Sequence, residues 1–352
     1  MARLRRSGLA ICEGFRCKDI FSVYLPAQIT SSEWRETAGA RYTGRSAMRA
    51  AVVLSLALAL LFPRLPFAQA PPPFSVTVRG GPPQPGSVLE IVVRAPEGAY
   101  DPQGTAFERP LTFAPGEDPH VWRTFVGIDV LQAPGPAPFR VHFASPAGRE
   151  LASTGTITVA PRVFATRRLR VASQFVEPSA AEVARITAEA TRLDDIFTTV
   201  TIPDHVGPFA APIGGVPGSN FGTRSIFNGE PRAPHAGVDF RGAVGTRIAA
   251  PGAGRVVLAE PLFFTGNTVI IDHGLGLYSL LAHLSRIGVA AGQTVDRGAT
   301  VGLLGATGRV TGPHLHWAVR LGSARVDPLR LLNLLGAAQS GAARGASAVP
   351  GV

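Results

Sequence analysis

The chain has 352 residues, 45% hydrophobic and 16% charged, with 40 Gly, 31 Pro and 2 Cys. That length holds two ordinary domains, and the composition favours turns and short strands over long helices or a disordered polymer. The formal net charge is +10, yet residues 1–70 carry 10 of the basic and 4 of the acidic residues, leaving 24 basic against 20 acidic in the rest. The body therefore has no dense basic block, and no nucleic-acid partner is expected.

Residues 1–47 show no periodicity and contain both cysteines, Cys12 and Cys17. Residues 48–70, MRAAVVLSLALALLFPRLPFAQA, read as a secretory signal. Met48 and Arg49 give a short positive start, Ala50–Phe62 an apolar run, and Ala68-Gln69-Ala70 an A-x-A cleavage site. The run is shorter than the about 20 residues of a membrane-spanning helix, so contact with a membrane is expected only if this segment is retained uncleaved. We expect Met48 to be the initiator, with residues 1–47 a misplaced upstream extension or an unusual leader. The product is then exported to the periplasm or cell envelope, and its mature part has no thiol for a disulfide, a nucleophile or a metal.

After a stiff PPPF linker, residues 71–160 alternate Val/Ile/Thr/Phe-rich runs with Pro/Gly breaks: FSVTVRG, SVLEIVVRAP, VWRTFVGIDV, FRVHFASP and GTITVAP. This spacing predicts an immunoglobulin-like β-sandwich. His120 and His142 lie in it without carboxylate or Cys company and are taken as ordinary strand or turn residues.

The connector, 161–204, contains SAAEVARITAEATRLDDIF at 179–197. Ser179 and Glu182 form a capping box, and Val183, Ile186, Ala190, Leu193 and Phe197 fall on one face of an amphipathic helix docked on one of the domains. The turn-rich stretch 203–222 reads as a loop wrapping the entrance to a second domain, 205–335. There the pattern is again β: RIAAP, GRVVLAEPL, NTVIIDHG, LYSLLAHL, ATVGLLGATG and HLHWAVRL. DPLRLLNLL adds a short helix, and 336–352 is a Gly/Ala/Ser tail expected to be disordered. The fold class is thus mainly β, with an antiparallel C-terminal domain.

Five of the eight histidines, His235, His273, His283, His314 and His316, fall in that second domain. Residues two apart in a strand share a face, so His314 and His316 can enter one cavity while Leu315 and Trp317 pack the other way. His235 and Asp239 also share a face if extended. A catalytic zinc site needs three N/O ligands and an open position, together with an acid–base group. No H-E-x-x-H occurs, so if zinc is bound a histidine must do the proton work. Four histidines and one aspartate would then divide into three ligands and two catalysts. His273, beside Asp272 before a Gly turn, is given a structural or supporting role with it.

The segments SNFGTRSIFNGEPRAPHAGVDF, GTRIAAPGAGRVV, GNTVIIDHGLGLYSLLAHLS, VAAGQTVDRGATVGLLGATGRVTGPHLHWAVR and VDPLRLL together resemble the lysostaphin-type (LytM-like) zinc metallopeptidases, metallopeptidase family 23. The resemblance covers about 205–335 and, more loosely, the preceding β domain and helix. It implies an endopeptidase that cuts cross-links or stems of bacterial peptidoglycan. It also implies one zinc ion held by His235, Asp239 and His316, with His283 and His314 acting on the water and the tetrahedral intermediate. Cell-envelope regulators are further partners it allows. Some relatives have lost ligands and act as non-catalytic activators of other wall hydrolases; that alternative, and a secreted protease of glycine-rich proteins, are weighed against a chain in which the full set is present. One departure is Leu281, where the family often has Tyr, which bears on substrate contacts near His283.

Overall fold

The computed structural model describes residues 74–144, 150–170, 178–203, 206–218 and 220–336. The expected upstream extension, the signal segment, both cysteines and all of the tail but Gly336 lie outside the described residues.

Eight strands open the described chain: β1 (Ser75–Arg79), β2 (Val88–Arg94), β3 (Tyr100–Ala106), β4 (Arg109–Thr112), β5 (Ala114–Pro115), β6 (Val121–Gly127), β7 (Gly135–Ala144) and β8 (Glu150–Val159). They form two antiparallel sheets, ordered β1-β2-β6-β5 and β4-β3-β7-β8. Alternate residues of both sheets, among them Ile91, Val93, Ala106, Val141, Phe143 and Ile157, meet in one apolar cluster. Strands β3 and β4 have no signal in the sequence pattern: DPQG and a Pro in RPLT carry little β propensity, and β3 is held by pairing with β7 and β4 by pairing with β3.

The connector holds a strand that the sequence hides. β9 (Thr166–Leu169) pairs in parallel with β10 (Arg224–Phe227), which continues antiparallel into β11 (Glu230–Pro231). Between them, helix α1 (Ala180–Thr198) starts at Ser179 with the expected capping box: Ser179 accepts from the Glu182 N–H, and the Glu182 carboxylate accepts from the Ser179 N–H. Its contact face is narrower than expected. Ile186 and Phe197 are buried and Leu193 packs beside them, but Val183 is 36% exposed.

The remaining strands are β12 (Gly237–Arg241), β13 (Arg247–Ala249), β14 (Gly254–Leu262), β15 (Gly266–Asp272), β16 (Leu277–Ile287), β17 (Thr294–Val295), β18 (Thr300–Leu304), β19 (His314–Leu321) and β20 (Ala324–Val326). They make one sheet ordered β12-β19-β16-β15-β14-β17, with β18 between β16 and β13 and with β20 against β19. Helix α2 (Pro328–Leu335) follows, its first N–H groups capped by Asp327.

One face of this sheet presents Val256, Val269, Ile271, Leu281, Leu315, Trp317 and Val319 to the main core. The other face packs Tyr278, Leu280, Ala282 and Ala318 under α1, with Phe197 edge-on to Tyr278 at 5.5 Å. The main core also takes in Phe125 and Val130 of the first β region with Leu331 of α2, so the two β regions share an apolar contact. Gly127 marks how close that contact is: a Cβ there would lie 2.9 Å from both Ala324 and Val326 side chains. No helix among the described residues is long and apolar enough to cross a membrane.

Candidate metal centre

The antiparallel register of β12 and β19 sets Asp239 directly opposite His316 and Arg241 opposite His314. Asp239, His314 and His316 therefore rise from the same face, while Leu315 and Trp317 are fully buried on the other, as alternation requires. His235 reaches them differently from the expectation that an extended His235–Asp239 stretch would align both. It precedes β12, its N–H and C=O bonded to the Thr223 carbonyl and Gly222 N–H, and reaches the site from the segment before the strand.

Three atoms converge: His235 Nε2 to His316 Nδ1 is 3.1 Å, His235 Nε2 to Asp239 Oδ1 is 3.2 Å, and His316 Nδ1 to Asp239 Oδ1 is 2.9 Å. Ligands of a tetrahedral zinc-like ion at about 2.0–2.1 Å stand about 3.3 Å apart, so this triangle is close to one face of such a site. Among the described residues it is the one group of His, Asp, Glu or Cys side chains so gathered. His235 Nδ1 donates to the Asn220 carbonyl (3.2 Å), which leaves Nε2 as a lone pair aimed at the other two atoms. With His235 in this tautomer, a hydrogen on His316 Nδ1 would bridge the three, and a bound cation would take its place. The residues fit a metal ion of the class bound by imidazole and carboxylate.

Burial opposes ionisation of Asp239, but its contacts with His316 and His235 outweigh it and hold the carboxyl far below the usual range. Burial, in turn, lowers His316 and favours its neutral form.

His283 joins by a local irregularity. On β16, Leu281 pairs with Val269 and Leu284 with Asn267, so Ala282 and His283 together oppose the single residue Thr268. This β-bulge puts His283 at φ +64° and turns it from the core face, where Leu281 and Leu284 point, onto the face of His314 and His316. Its ring lies 4.8 Å from that of His314 and 6.0 Å from that of His316. His283 Nδ1 donates to the Thr307 carbonyl (2.9 Å) and His314 Nδ1 to the Gly312 carbonyl (2.8 Å). Burial first, then the neighbouring His316 ring, lowers His283 to about 4. All five residues singled out in the sequence are thus brought together.

The Peptidase family M23 model matches residues 233–328. A crystal structure from Pseudomonas aeruginosa, described as a candidate M23 peptidase, is 32% identical, with a TM-score of 0.54 over 72% of this chain and 95% of that one. The chain belongs to peptidase family M23. This M23 chain is also 42% identical over 113 residues to the peptidoglycan DD-endopeptidase ShyA of Vibrio cholerae, and 40% identical over 112 residues to ShyC of the same organism. Those matches cover 32% and 31% of the chain, and 26% of the length of each relative.

Two residues of the M23 site escaped the sequence reading. Asn220 donates from Nδ2 to Asp239 Oδ2 at 2.7 Å. Thr307, besides holding His283, donates its hydroxyl to the Leu284 carbonyl and accepts from the Asn267 N–H, which fixes the bulge. Neither has a motif of its own; only a position in SNFG and in ATG preceded them. Leu281, the departure from the family pattern, is fully buried opposite Val269 and Trp317, so it alters the core rather than the surface beside His283. His273 and Asp272 support the sheet, as expected: His273 Nδ1 donates to the Ala253 carbonyl, and Asp272 accepts from Thr201 and the Gly274 N–H.

Proposed function

We propose that this chain is an exported zinc metalloendopeptidase that hydrolyses peptide bonds in bacterial peptidoglycan, working in the periplasm or cell envelope. The carrying observation is the triangle of His235 Nε2, Asp239 Oδ1 and His316 Nδ1, with the His283–His314 pair 4.8 Å apart beside it. The names of ShyA and ShyC support the substrate, and the 48–70 pattern supports export. The strand order β1-β2-β6-β5 facing β4-β3-β7-β8 supports reading the N-terminal region as an immunoglobulin-like sandwich.

Zinc held by His235, Asp239 and His316 would supply Lewis-acid polarisation and a more acidic bound water. The protein's own part is proton handling. With Nδ1 of both His283 and His314 committed to main-chain carbonyls, each neutral ring offers only an Nε2 lone pair. One ring takes the water's proton, and the resulting imidazolium gives it to the departing amine. A neutral ring cannot donate to the developing oxyanion, so the histidine that stabilises it must carry its second proton. kcat should therefore show a bell-shaped pH dependence, with one histidine neutral and the other charged at the optimum.

The test is a pair of variants. His316→Ala should lose both zinc and hydrolysis, whereas His314→Ala should keep zinc and lose hydrolysis by at least about 100-fold. Equal zinc loss in the two, measured by metal analysis, overturns the division into ligand and catalyst.

A further inference from the structure

Asp239 lies on β12, the outermost strand of its sheet, so one side of its main chain has no strand partner. Gly218 and Asn220 take that place. The Gly218 N–H bonds to the Asp239 carbonyl at 2.9 Å, and the Asp239 N–H bonds not to a carbonyl but to Asn220 Oδ1 at 3.3 Å. The same amide donates from Nδ2 to Asp239 Oδ2 at 2.7 Å, and the Asn220 main-chain carbonyl receives the His235 Nδ1 hydrogen at 3.2 Å. One orientation of the amide serves both side-chain contacts; reversed, its oxygen would face a carboxylate oxygen.

We propose that Asn220 is a positioning residue of the metal centre. Its amide occupies Oδ2 of Asp239 and leaves Oδ1 as the ligand oxygen. Its carbonyl fixes the tautomer of His235 so that Nε2 is the ligand nitrogen. Neighbouring contacts hold Asn220 still. Phe221 is buried edge-on to Phe164 at 6.1 Å, and the Arg162 guanidinium covers both rings at 5.5 and 4.9 Å while paired with Asp327 at 2.7 Å. Partners of metal ligands typically set 10–100-fold in metal affinity.

This inference rests on the metal-centre reading above, and one experiment separates the two. Zinc affinity is measured by chelator competition on the full chain, with Co2+ absorption as a second readout, for the parent, Asn220→Ala, Asn220→Leu and His316→Ala. Both Asn220 variants keep the main-chain contact to His235, so they isolate the hold on Asp239. Asn220→Leu also keeps the bulk of the side chain, which maintains packing where Ala would not. Each should bind zinc about 10–100-fold more weakly than the parent and show a shifted Co2+ d–d band, with the metal-free melting temperature of Asn220→Leu near that of the parent. Affinity within two-fold of the parent in both variants, or parental affinity restored by Leu, overturns the positioning role. A parent that binds no stoichiometric zinc instead overturns the metal-centre reading itself.

Discussion

Gly237 shows how little room surrounds the ligands. A Cβ on it would stand 2.5 Å from the Trp317 carbonyl and 2.7 Å from His316 Cε1, so neither strand can absorb one. Gly237→Ala should push the His316 ring off the triangle and cost about 1–3 kcal/mol of stability, read by urea unfolding alongside zinc affinity. Equal zinc affinity in that variant would show that the ring has another route to its place. At this scale much was legible. The H-x-H spacing put two histidines on one face, and the pairing of Asp239 with His316 follows once β12 and β19 are neighbours. The sequence could not reveal that His283 needs a bulge, because a left-handed φ at a histidine leaves no compositional mark. Nor could it reveal Asn220, whose partners lie 15 and 19 residues away through a loop.

Between elements, the sheet that carries the site is tied by a buried relay. The Trp317 indole N–H donates to Ser279 Oγ at 3.3 Å, and the Ser279 hydroxyl donates to His273 Nε2 at 2.9 Å, linking β19, β16 and the turn after β15. Ser279→Ala strands two buried polar groups and should cost roughly 1–3 kcal/mol by chemical denaturation, with zinc stoichiometry kept. Burial lowers His273 to about 4, below its unfolded value of about 6.5. The unfolded chain therefore binds the proton first. The His273 contribution is constant above about pH 6.5 and is lost as pH falls towards 4, by about 3 kcal/mol in all. His273→Asn should flatten that limb of the stability–pH curve; an unchanged limb would assign it to other groups. The pattern of apolar runs located β14, β15, β16 and β19, because each alternates or is fully buried. It missed β9 and β10, since TRRL and RSIF are too short and too charged to stand out without each other.

Across the whole molecule, polar ties join the two β regions as well as apolar ones. Asp129 in the first region receives three hydrogen bonds from Arg325 of β20: from its N–H at 2.9 Å, Nε at 3.0 Å and Nη2 at 2.8 Å. Burial raises the Asp129 carboxyl, but Arg325 more than offsets this and holds it below its ordinary value. The pair's contribution is therefore present above about pH 4 and lost as pH falls below it. Asp129→Ala leaves a largely buried guanidinium without its partner and should cost about 3–5 kcal/mol. With this tie and the shared core, the two regions should melt in one transition in the parent; a separate melting of the first region would show that the contact carries little energy. The β character of both stretches could be read from composition, whereas their mutual packing could not, because it depends on single residues such as Gly127 and Asp129.

We propose the His235–Asp239–His316 triangle as a hydrolytic zinc centre acting on peptidoglycan. The most direct measurement is metal content together with mass analysis of peptides released from purified peptidoglycan. One zinc per chain is expected, with soluble stem or cross-link peptides released by the parent and none by His316→Ala. A zinc-loaded parent that releases no peptides, or a His316→Ala variant that releases them undiminished, would contradict it.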